Sequence, residues 1–372
     1  MTAGRPSGSI RAEKPALVLL NFGGPRHLEE VPDFLYEILR DPNTVQLPFP
    51  QWGQNLLARF IARRRGREVT RQYAAIGGCS PLVAATERIA AVLRQALDSA
   101  GRPLPVHVAH RYLPGHAACV VDEILAAGAD AILALPLYPQ FSYATSGSSF
   151  QQLHGLLAGA GWEGRLCAVR SYPDAAGYLE ALCESLSDCL ARARLQPHDT
   201  VILCSAHGLP RGYVERGDPY RLELYRTLEA LRQRFDTWRI ELSFQSRVGP
   251  AEWLRPYTDE IIPSLAEQGA RHVVFLPISF VNDHLETLYE VGVTYFDQVR
   301  RHGMTPHRVA AIEHHPSHIR MLSDAALRWL DGRAGVPLAE LLPPDQSFAR
   351  RGRWAWGLWL MALLAALLLA VR

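Results

Sequence analysis

The residues best suited to chemistry lie in two short segments, each of which follows an apolar run. The first segment, residues 205–210, comes directly after apolar residues 201–204 and contains His207. The second follows apolar residues 272–278 and contains four ionisable side chains, Asp283, His284, Glu286 and Glu290. An imidazole titrates near neutral pH, so a histidine at the carboxyl end of a buried strand can exchange protons or bind a metal.

The acids of the second segment have helical spacing. If the chain is helical after Asn282, then Asp283, Glu286 and Glu290 recur at i, i+3 and i+7 and share one face. Carboxylates in such a line repel one another, so some should hold protons at neutral pH. For either segment alone a structural explanation fits about as well as a functional site. The explanation is a hydrogen-bonded core histidine for the first segment and a solvated acidic helix face for the second. The occurrence of both after buried strands favours a functional site.

Length and composition describe an ordinary globular protein. With 372 residues, 48% of them hydrophobic and 20% charged, the chain is long enough for two domains. A net charge of +2 gives no reason to expect a nucleic-acid partner. The six cysteines include no CxxC pair, which argues against zinc or iron–sulfur ligation and favours reduced thiols in a cytosolic protein.

Short apolar runs alternate with helical patterns along most of the chain. Eight runs are predicted as buried parallel strands, at residues 16–20, 106–109, 131–135, 166–169, 201–204, 240–244, 272–276 and 309–312. Helices are predicted between them, among others at residues 86–100, 117–127, 178–194, 220–235 and 251–268. The expected fold class is α/β, with two Rossmann-like lobes, each a four-stranded parallel sheet flanked by helices, at residues 15–178 and 179–335. Two such lobes leave a cleft bordered by the loops after the strands.

Several of these loops carry a more specific signal. Six of these segments share their order with a known family, namely residues 19–25, 72–82, 137–142, 205–210, 243–250 and 280–290. On these segments the chain, from about residue 16 to residue 335, resembles the ferrochelatase family, which inserts ferrous iron into a porphyrin in the last step of haem synthesis.

The resemblance implies roles for the acid–base residues. His207 and Glu286 match the two residues that face the porphyrin centre and are implicated in iron binding and in removing pyrrole protons. A porphyrin must lose two N–H protons before a divalent metal can occupy the ring, so the reaction needs a base close to the metal. Asp283, His284 and Glu290 are the expected proton relay. Whether His207 is chiefly a proton acceptor or a metal ligand stays open.

A porphyrin also needs a slot that is apolar inside and cationic at one edge. Arg64, Arg65, Tyr73 and Ser80 match porphyrin-contacting positions of the family's first lobe, and arginine offers a fork suited to the propionates. Taken alone, the basic run 63–67 would be read as a solvated helix face.

The remaining predicted porphyrin contacts are aromatic residues and one further arginine. Phe22 and Trp253 are expected to line the slot, although ordinary core packing would explain each of them equally well. Arg111 and Tyr112 match a pair on the opposite side of the pocket, on a suggested entry route for the metal. The alternative for this pair is an ion pair at a strand end.

The chain departs from the family pattern at some positions. Asn282 stands where the family commonly has serine, and no cysteine follows Cys204, so a family-type [2Fe-2S] cluster is excluded. We therefore expect no permanently bound cofactor, with Fe(II) as a substrate. Five histidines near the end of the second lobe are interpreted as surface residues and not as a metal tract, namely His302, His307, His314, His315 and His318.

The carboxyl end has a different composition. Residues 354–371 carry no charge, and these 18 residues would span roughly 27 Å as a helix, enough for the hydrocarbon core of a bilayer. Arginines at 350, 351 and 353 precede the run, which favours a cytoplasmic start. We predict a linker at 336–353 and a transmembrane anchor at 354–371 that holds the lobes on the cytoplasmic face of the inner membrane. The alternative is a buried apolar helix.

The predicted function is insertion of Fe(II) into protoporphyrin IX with release of two protons. The enzymatic alternatives are insertion of iron into coproporphyrin III, which has four carboxylates instead of two, and insertion of cobalt or nickel into a tetrapyrrole. The non-enzymatic alternative is a two-lobed metal or haem carrier. The expected partners are a porphyrin, ferrous iron and a membrane, and the sequence does not indicate an oligomeric state.

Overall fold

Two largely parallel β-sheets form the centre of the fold in the computed structural model, which describes residues 14–45, 50–249 and 251–342. The first sheet has the order β2-β1-β3-β4-β9 and contains β1 (Pro15–Asn21), β2 (Val106–His110), β3 (Ala131–Pro136), β4 (Arg165–Ala168) and β9 (Val336–Pro337). The second has the order β6-β5-β7-β8 and contains β5 (Thr200–His207), β6 (Arg239–Gln245), β7 (His272–Pro277) and β8 (Thr305–Arg308).

Strand β1 shows why the apolar runs form central strands. Its neighbours β2 and β3 both pair with it in parallel, so both of its faces are covered. Leu17 and Leu19 point into one hydrophobic cluster, whereas Ala16, Val18 and Leu20 point into another. A strand buried on both faces needs an apolar residue at every position, and this need explains the continuous run.

Helices cover both sheets. The α-helices are α1 (Val31–Arg40), α2 (Gln51–Ala75), α3 (Leu82–Ser99), α4 (His116–Ala126), α5 (Ser148–Gly159), α6 (Ala176–Arg192), α7 (Arg211–Glu215), α8 (Tyr220–Arg234), α9 (Thr258–Glu267), α10 (Phe296–Arg301) and α11 (Pro316–Leu330). Two π-helices, Tyr143–Gly147 and Glu286–Tyr295, and two 3-10 turns, Leu28–Glu30 and Leu338–Leu341, complete the described elements.

The last helix ties the two lobes together. Helix α11 follows the second sheet but packs against α3, which belongs to the first lobe, and against α6, which connects the two sheets. Its Trp329 is fully buried in a cluster that also contains Ile89 of α3 and Leu182 of α6. The two lobes therefore share one hydrophobic core in addition to the core that each has of its own.

Buried hydrogen bonds also fix the lobes to each other near the carboxyl ends of the strands. The Asn21 amide donates to Oδ1 of Asn282 at 3.0 Å. The Gln140 amide donates to Thr227 at 3.0 Å and to the Ile278 carbonyl at 3.1 Å. Because a buried polar group without a partner is costly, these pairs specify one relative position of the lobes.

The prediction of an α/β fold with two parallel sheets flanked by helices is confirmed, and every predicted strand but the last overlaps an observed one. The last prediction, residues 309–312, is wrong. Strand β8 is the polar segment just before it, and Val309 and Ile312 instead pack into the shared core after the strand has ended. The predicted helix at 251–268 begins only at Thr258.

The first sheet differs from the predicted four parallel strands. The fifth strand, β9, pairs antiparallel with β4 and comes from the segment predicted as a linker. Leu338, just beyond it, is fully buried against the first lobe. Residues 336–342 thus belong to the fold, and the rest of the predicted linker lies outside the described residues.

Within the described ranges, no helix combines the length and the apolar character needed to cross a membrane. Residues 354–371, predicted as the anchor, lie outside those ranges.

Candidate active site

His207 is the last residue of β5, the strand that lies between β6 and β7 in the second sheet. Its backbone N–H donates to the Ser279 hydroxyl at 3.1 Å, and its carbonyl accepts from the Tyr220 hydroxyl at 3.1 Å. The backbone is therefore held on both sides, while 39% of the side chain stays exposed. This placement leaves a partly exposed imidazole on a fixed backbone.

Glu286 is the direct partner of this imidazole. It is the first residue of the π-helix that follows β7, and its Oε2 lies 2.8 Å from His207 Nδ1. The structure thus joins the two residues that the sequence analysis paired across 79 positions. A π-helix has wider turns than an α-helix and is frequent at functional sites.

The pair is electrostatically coupled. Burial acts to lower the pKa of His207, but the charge and the hydrogen bond of Glu286 outweigh it, and the net effect is a raised pKa. Burial acts to raise the pKa of Glu286, yet His207 and His284 hold it well below its usual range. The geometry therefore favours an imidazolium–carboxylate pair that already holds one proton, so the pair must lose this proton before it can act as a base.

Glu290, one turn further along the π-helix, forms the second acidic position. It accepts from the Ser246 backbone N–H at 2.8 Å, from the Ser246 hydroxyl, and from the Tyr295 hydroxyl at 3.0 Å. Burial and the neighbouring Glu286 carboxylate raise its pKa against these hydrogen bonds. This direction agrees with the expectation that one acid of the line takes up a proton.

Gln245 and Ser246 connect the two acids, and the sequence analysis gave them no role. The Ser246 hydroxyl lies 3.1 Å from Glu286 Oε2 and also bonds Glu290. The fully buried Ser205 hydroxyl donates to Oε1 of Gln245, so the Gln245 amide N–H₂ faces the Oε2 atoms of Glu286 and Glu290 at 3.5 and 3.4 Å. The sequence feature that could have identified Gln245 and Ser246 as site residues is their position at the end of β6. The carboxyl ends of adjacent parallel strands meet at one edge of a sheet, so this position lies beside the end of β5.

Asp283 is bound by residues other than the His207–Glu286 pair, and its place in the acidic line stays a prediction. It precedes the π-helix, and its Oδ1 accepts from Arg308 at 2.5 Å and from Thr287 at 2.7 Å. His284 remains near the pair, with Nε2 at 3.8 Å from Glu286 Oε2 and its ring centroid 4.2 Å from that of Phe280. The buried Nε2 of His284 forms no hydrogen bond with the described residues.

The first lobe contributes a wall opposite the acids. Tyr73 of α2 is buried, and both burial and the charge of Glu286 raise its pKa, which places the phenol in the field of the carboxylate. Ser80 lies against Gly24 so closely that a Cβ at Gly24 would be 2.4 Å from the Ser80 hydroxyl oxygen. Glycine is therefore required at position 24 for the loop to pass Ser80.

Arg64 and Arg65 lie on α2 and are exposed. Neither forms a hydrogen bond or an ion pair with another described residue, so both guanidinium groups are available to an outside anion. This placement agrees with the solvated helix face considered from the sequence and leaves propionate binding as a prediction.

Arg111 and Tyr112 form a closed network around Asp41. Arg111 donates to Asp41 Oδ2 at 2.7 Å and to Ser148 at 2.8 Å, and the Tyr112 hydroxyl donates to the same oxygen at 2.7 Å. The Tyr112 ring lies 4.5 Å from that of Phe22. Arg111 thus forms an ion pair with Asp41, which is the alternative that the sequence allowed for this position. The sequence could not indicate Asp41 as the partner, because Asp41 is distant from Arg111 along the chain.

Aromatic rings flank the imidazole of His207. The ring centroids of Trp253 and Phe280 each lie 6.4 Å from that of His207, at interplanar angles of 71° and 86°. The Trp253 indole donates to the Val248 carbonyl at 3.1 Å, which fixes the ring. Trp253 is therefore a fixed ring beside His207, and its place in the wall of a porphyrin slot stays a prediction.

The described residues include no cluster of three His, Cys, Asp or Glu side chains arranged to hold a metal ion. His207 and Glu286 together provide two ligand groups of the kinds that bind divalent transition metals.

Comparison with known proteins first defines the class. The fold is that of a two-lobed chelatase, since it superposes on SirB from Bacillus subtilis with Fe³⁺ at a TM-score of 0.51, 10% identity, and coverage of 85% of this chain and 95% of that one. The sirohydrochlorin chelatase SirB from Bacillus subtilis subspecies spizizenii in complex with cobalt gives a TM-score of 0.50, 8% identity, and coverage of 86% and 96%. At these identities the likeness concerns the fold alone.

The sequence comparison then identifies the family. The model of the Ferrochelatase family matches residues 14–329. Ferrochelatase of Synechococcus elongatus is 39% identical over 93% of this chain and 90% of that protein, and ferrochelatase of a Cyanothece species is 37% identical over 92% and 89%. The chain belongs to the ferrochelatase family, and the predictions of this family and of a metal-inserting lyase are confirmed.

Proposed function

We propose that this protein inserts Fe(II) into protoporphyrin IX and releases two protons. Membership of the ferrochelatase family supports the reaction class. The observation that carries the proposal for this chain is the His207–Glu286 pair, whose nitrogen and oxygen atoms lie 2.8 Å apart and whose His207 side chain is 39% exposed. Neither the coproporphyrin reaction nor a carrier role has an observation of its own in its favour.

In the proposed reaction His207 and Glu286 face the porphyrin nitrogens. Iron binding at the ring acidifies the two pyrrole N–H groups. The pair first loses its own proton to solvent, then accepts the pyrrole protons one at a time and passes on the first before it takes the second. The Ser246 hydroxyl contacts both Glu286 and Glu290, so a proton can pass from the first acid to the second. Glu290, whose pKa is raised by burial and by the Glu286 carboxylate, accepts each proton in turn and releases it to solvent, away from the ring.

The porphyrin is proposed to lie between the two lobes. Tyr73, Ser80 and Phe22 would form the wall from the first lobe, with Trp253 opposite. The exposed guanidinium groups of Arg64 and Arg65 would bind the propionates, because arginine recognises carboxylates through paired hydrogen bonds.

Arg111 and Tyr112 are bound to Asp41, so we propose that they stiffen the far side of the pocket. His284 and Asp283 stay proposed relay residues. No permanent cofactor is needed.

The proposal is tested by anaerobic incubation of the purified protein with ferrous iron and one porphyrin at a time. Protoporphyrin IX should be converted to haem with the larger kcat/KM, measured by absorbance. Faster conversion of coproporphyrin III would reassign the substrate. Tight binding of porphyrin or haem without turnover of either porphyrin would instead favour the carrier.

For the carboxyl end we propose a membrane anchor at residues 354–371, with the lobes on the cytoplasmic face of the inner membrane. Deletion of the chain after Ser347 should give a protein that stays in solution without detergent and retains iron insertion at about the rate of the full chain, because the packed residues around Leu338 are kept.

Fractionation of cell extracts and an activity assay check the anchor together. The full chain should sediment with membranes and be released by detergent. Recovery of the full chain in the soluble fraction, or loss of folding after the deletion, would show instead that residues 354–371 pack into the protein or an oligomer interface.

A further inference from the structure

Two histidines meet on adjacent strands of the second sheet, away from the residues discussed so far. His272 is the first residue of β7, and His307 lies in β8, which pairs with β7 in parallel. The Nδ1 atom of His272 lies 3.2 Å from the Nε2 atom of His307. The ring centroids are 5.4 Å apart at an interplanar angle of 48°, and both side chains are only partly buried.

The separation of the two nitrogens matches a shared metal ion. Imidazole binds divalent transition metals at about 2.0–2.1 Å, and two such bonds at a tetrahedral angle put the nitrogens about 3.3 Å apart. The parallel register of β7 and β8 fixes both backbones, so little conformational freedom is lost when the rings bind one ion.

Each ring presents one nitrogen to the other, and a neutral imidazole nitrogen is a common ligand of divalent metals. An N–H···N hydrogen bond between the rings is the alternative explanation of the short distance.

We propose that His272 and His307 form a second cation site, which takes a borderline divalent transition metal such as Zn²⁺, Co²⁺ or Fe²⁺. Two imidazoles suit these ions, and carboxylate-preferring Mg²⁺ and Ca²⁺ are disfavoured. Water completes the coordination, because the described residues place no third His, Cys, Asp or Glu with the pair.

This site is separate from the His207 site. His272 lies opposite Thr200 at the start of β5, whereas His207 is the last residue of that strand. A strand rises about 3.3 Å per residue, so the two sites lie on the order of 20 Å apart along the sheet. A metal at the histidine pair therefore shares no ligand with the proposed catalytic pair, and the inference does not depend on the proposed function.

The test uses the full-length protein in detergent, stripped of metal and titrated with Zn²⁺ alone by calorimetry in a His207→Ala background. Replacement of His307 by glutamine, and separately of His272, should weaken the remaining Zn²⁺ binding at least about tenfold, since loss of even an outer-shell partner costs that much. Zn²⁺ should raise the melting temperature of the background protein and not that of either double variant.

His302→Gln is the matched control, because His302 is an exposed histidine just before β8. It should leave the Zn²⁺ isotherm and the shift in melting temperature unchanged. Unchanged Zn²⁺ binding in both the His272→Gln and the His307→Gln protein, or an equal loss in His302→Gln, would overturn the site and leave only the hydrogen bond. Iron insertion by His307→Gln with an intact His207 should equal that of the unmodified protein, so failure of this inference is distinct from failure of the proposed reaction.

Discussion

Replacement of His207 by alanine is expected to abolish iron insertion while porphyrin binding and the fold persist. The imidazole is the proposed proton acceptor beside the metal, and general-base groups contribute about 10²–10⁴-fold to rates. Turnover should therefore fall at least about 100-fold. The backbone of His207 keeps its bonds to Ser279 and Tyr220 in the variant, so the strand end has no reason to move. Anaerobic haem formation and porphyrin fluorescence quenching measure the two effects separately.

His314→Ala is the control for this experiment. His314 is 59% exposed, and its described contact is an ion-pair distance of 3.7 Å to Glu313. Its removal should leave both turnover and porphyrin binding unchanged. Turnover of the His207→Ala protein close to that of the unmodified protein would rule out His207 as the central base or ligand.

Replacement of Glu286 by glutamine is expected to lower turnover roughly 100-fold and to shift the pH dependence. The Glu286 carboxylate is what raises the pKa of His207, while burial acts in the opposite direction. Without the charge, His207 should lose its proton at lower pH. The ascending limb of kcat/KM against pH, which reports the free enzyme, should therefore move to lower pH in the variant.

The His207–Glu286 pair should also make the free energy of unfolding depend on pH. The contribution of His207, whose pKa is raised on folding, is complete below about pH 6.5 and is lost as pH rises through the folded value. The contribution of Glu286, whose pKa is lowered, is present above about pH 4.3 and is lost as pH falls through its folded value. The difference in free energy of unfolding between the unmodified protein and Glu286→Gln should thus be largest between these limits.

Glu252→Gln serves as the control, since this carboxylate is 60% exposed and pairs with Arg211 on the surface. This substitution should not shift the pH dependence of kcat/KM. If Glu286→Gln weakens porphyrin affinity but keeps turnover and the position of the limb, then Glu286 is a binding residue only.

The sequence was sufficient where burial alone decides the structure. The continuous apolar run of β1 predicts a strand covered on both faces, and Leu17 and Val18 occupy the two cores accordingly. It was insufficient at β8, where the strand is polar and the apolar residues Val309 and Ile312 come after it. Strand β8 forms because it pairs with β7, and such pairing between distant segments cannot be recognised from the local pattern of apolar residues.

The sequence predicted the two central residues of the site but not the residues that hold them in place. His207 and Glu286 carry ionisable groups in recognisable segments, so their meeting could be expected. Ser205 and Gln245 act through hydrogen bonds between strands, and Ser246 takes a left-handed backbone conformation with φ of 65°, which is rare for a residue with a side chain. Such features depend on tertiary geometry, and they fix where the acidic side chains point.

The return of the last helix to the first lobe has a consequence for how the protein is made. A ribosome releases the chain from its amino end, and most domains fold in that order. Here the sides of α3 and α6 that pack on α11 stay uncovered until α11 has emerged, although α3 also contacts β2 and α6 also contacts α8. The first lobe therefore cannot reach its final structure as a nascent fragment. Both lobes are expected to mature together in the last moments of synthesis, and a chain interrupted before Pro316 should be recovered only as an aggregated or degraded product.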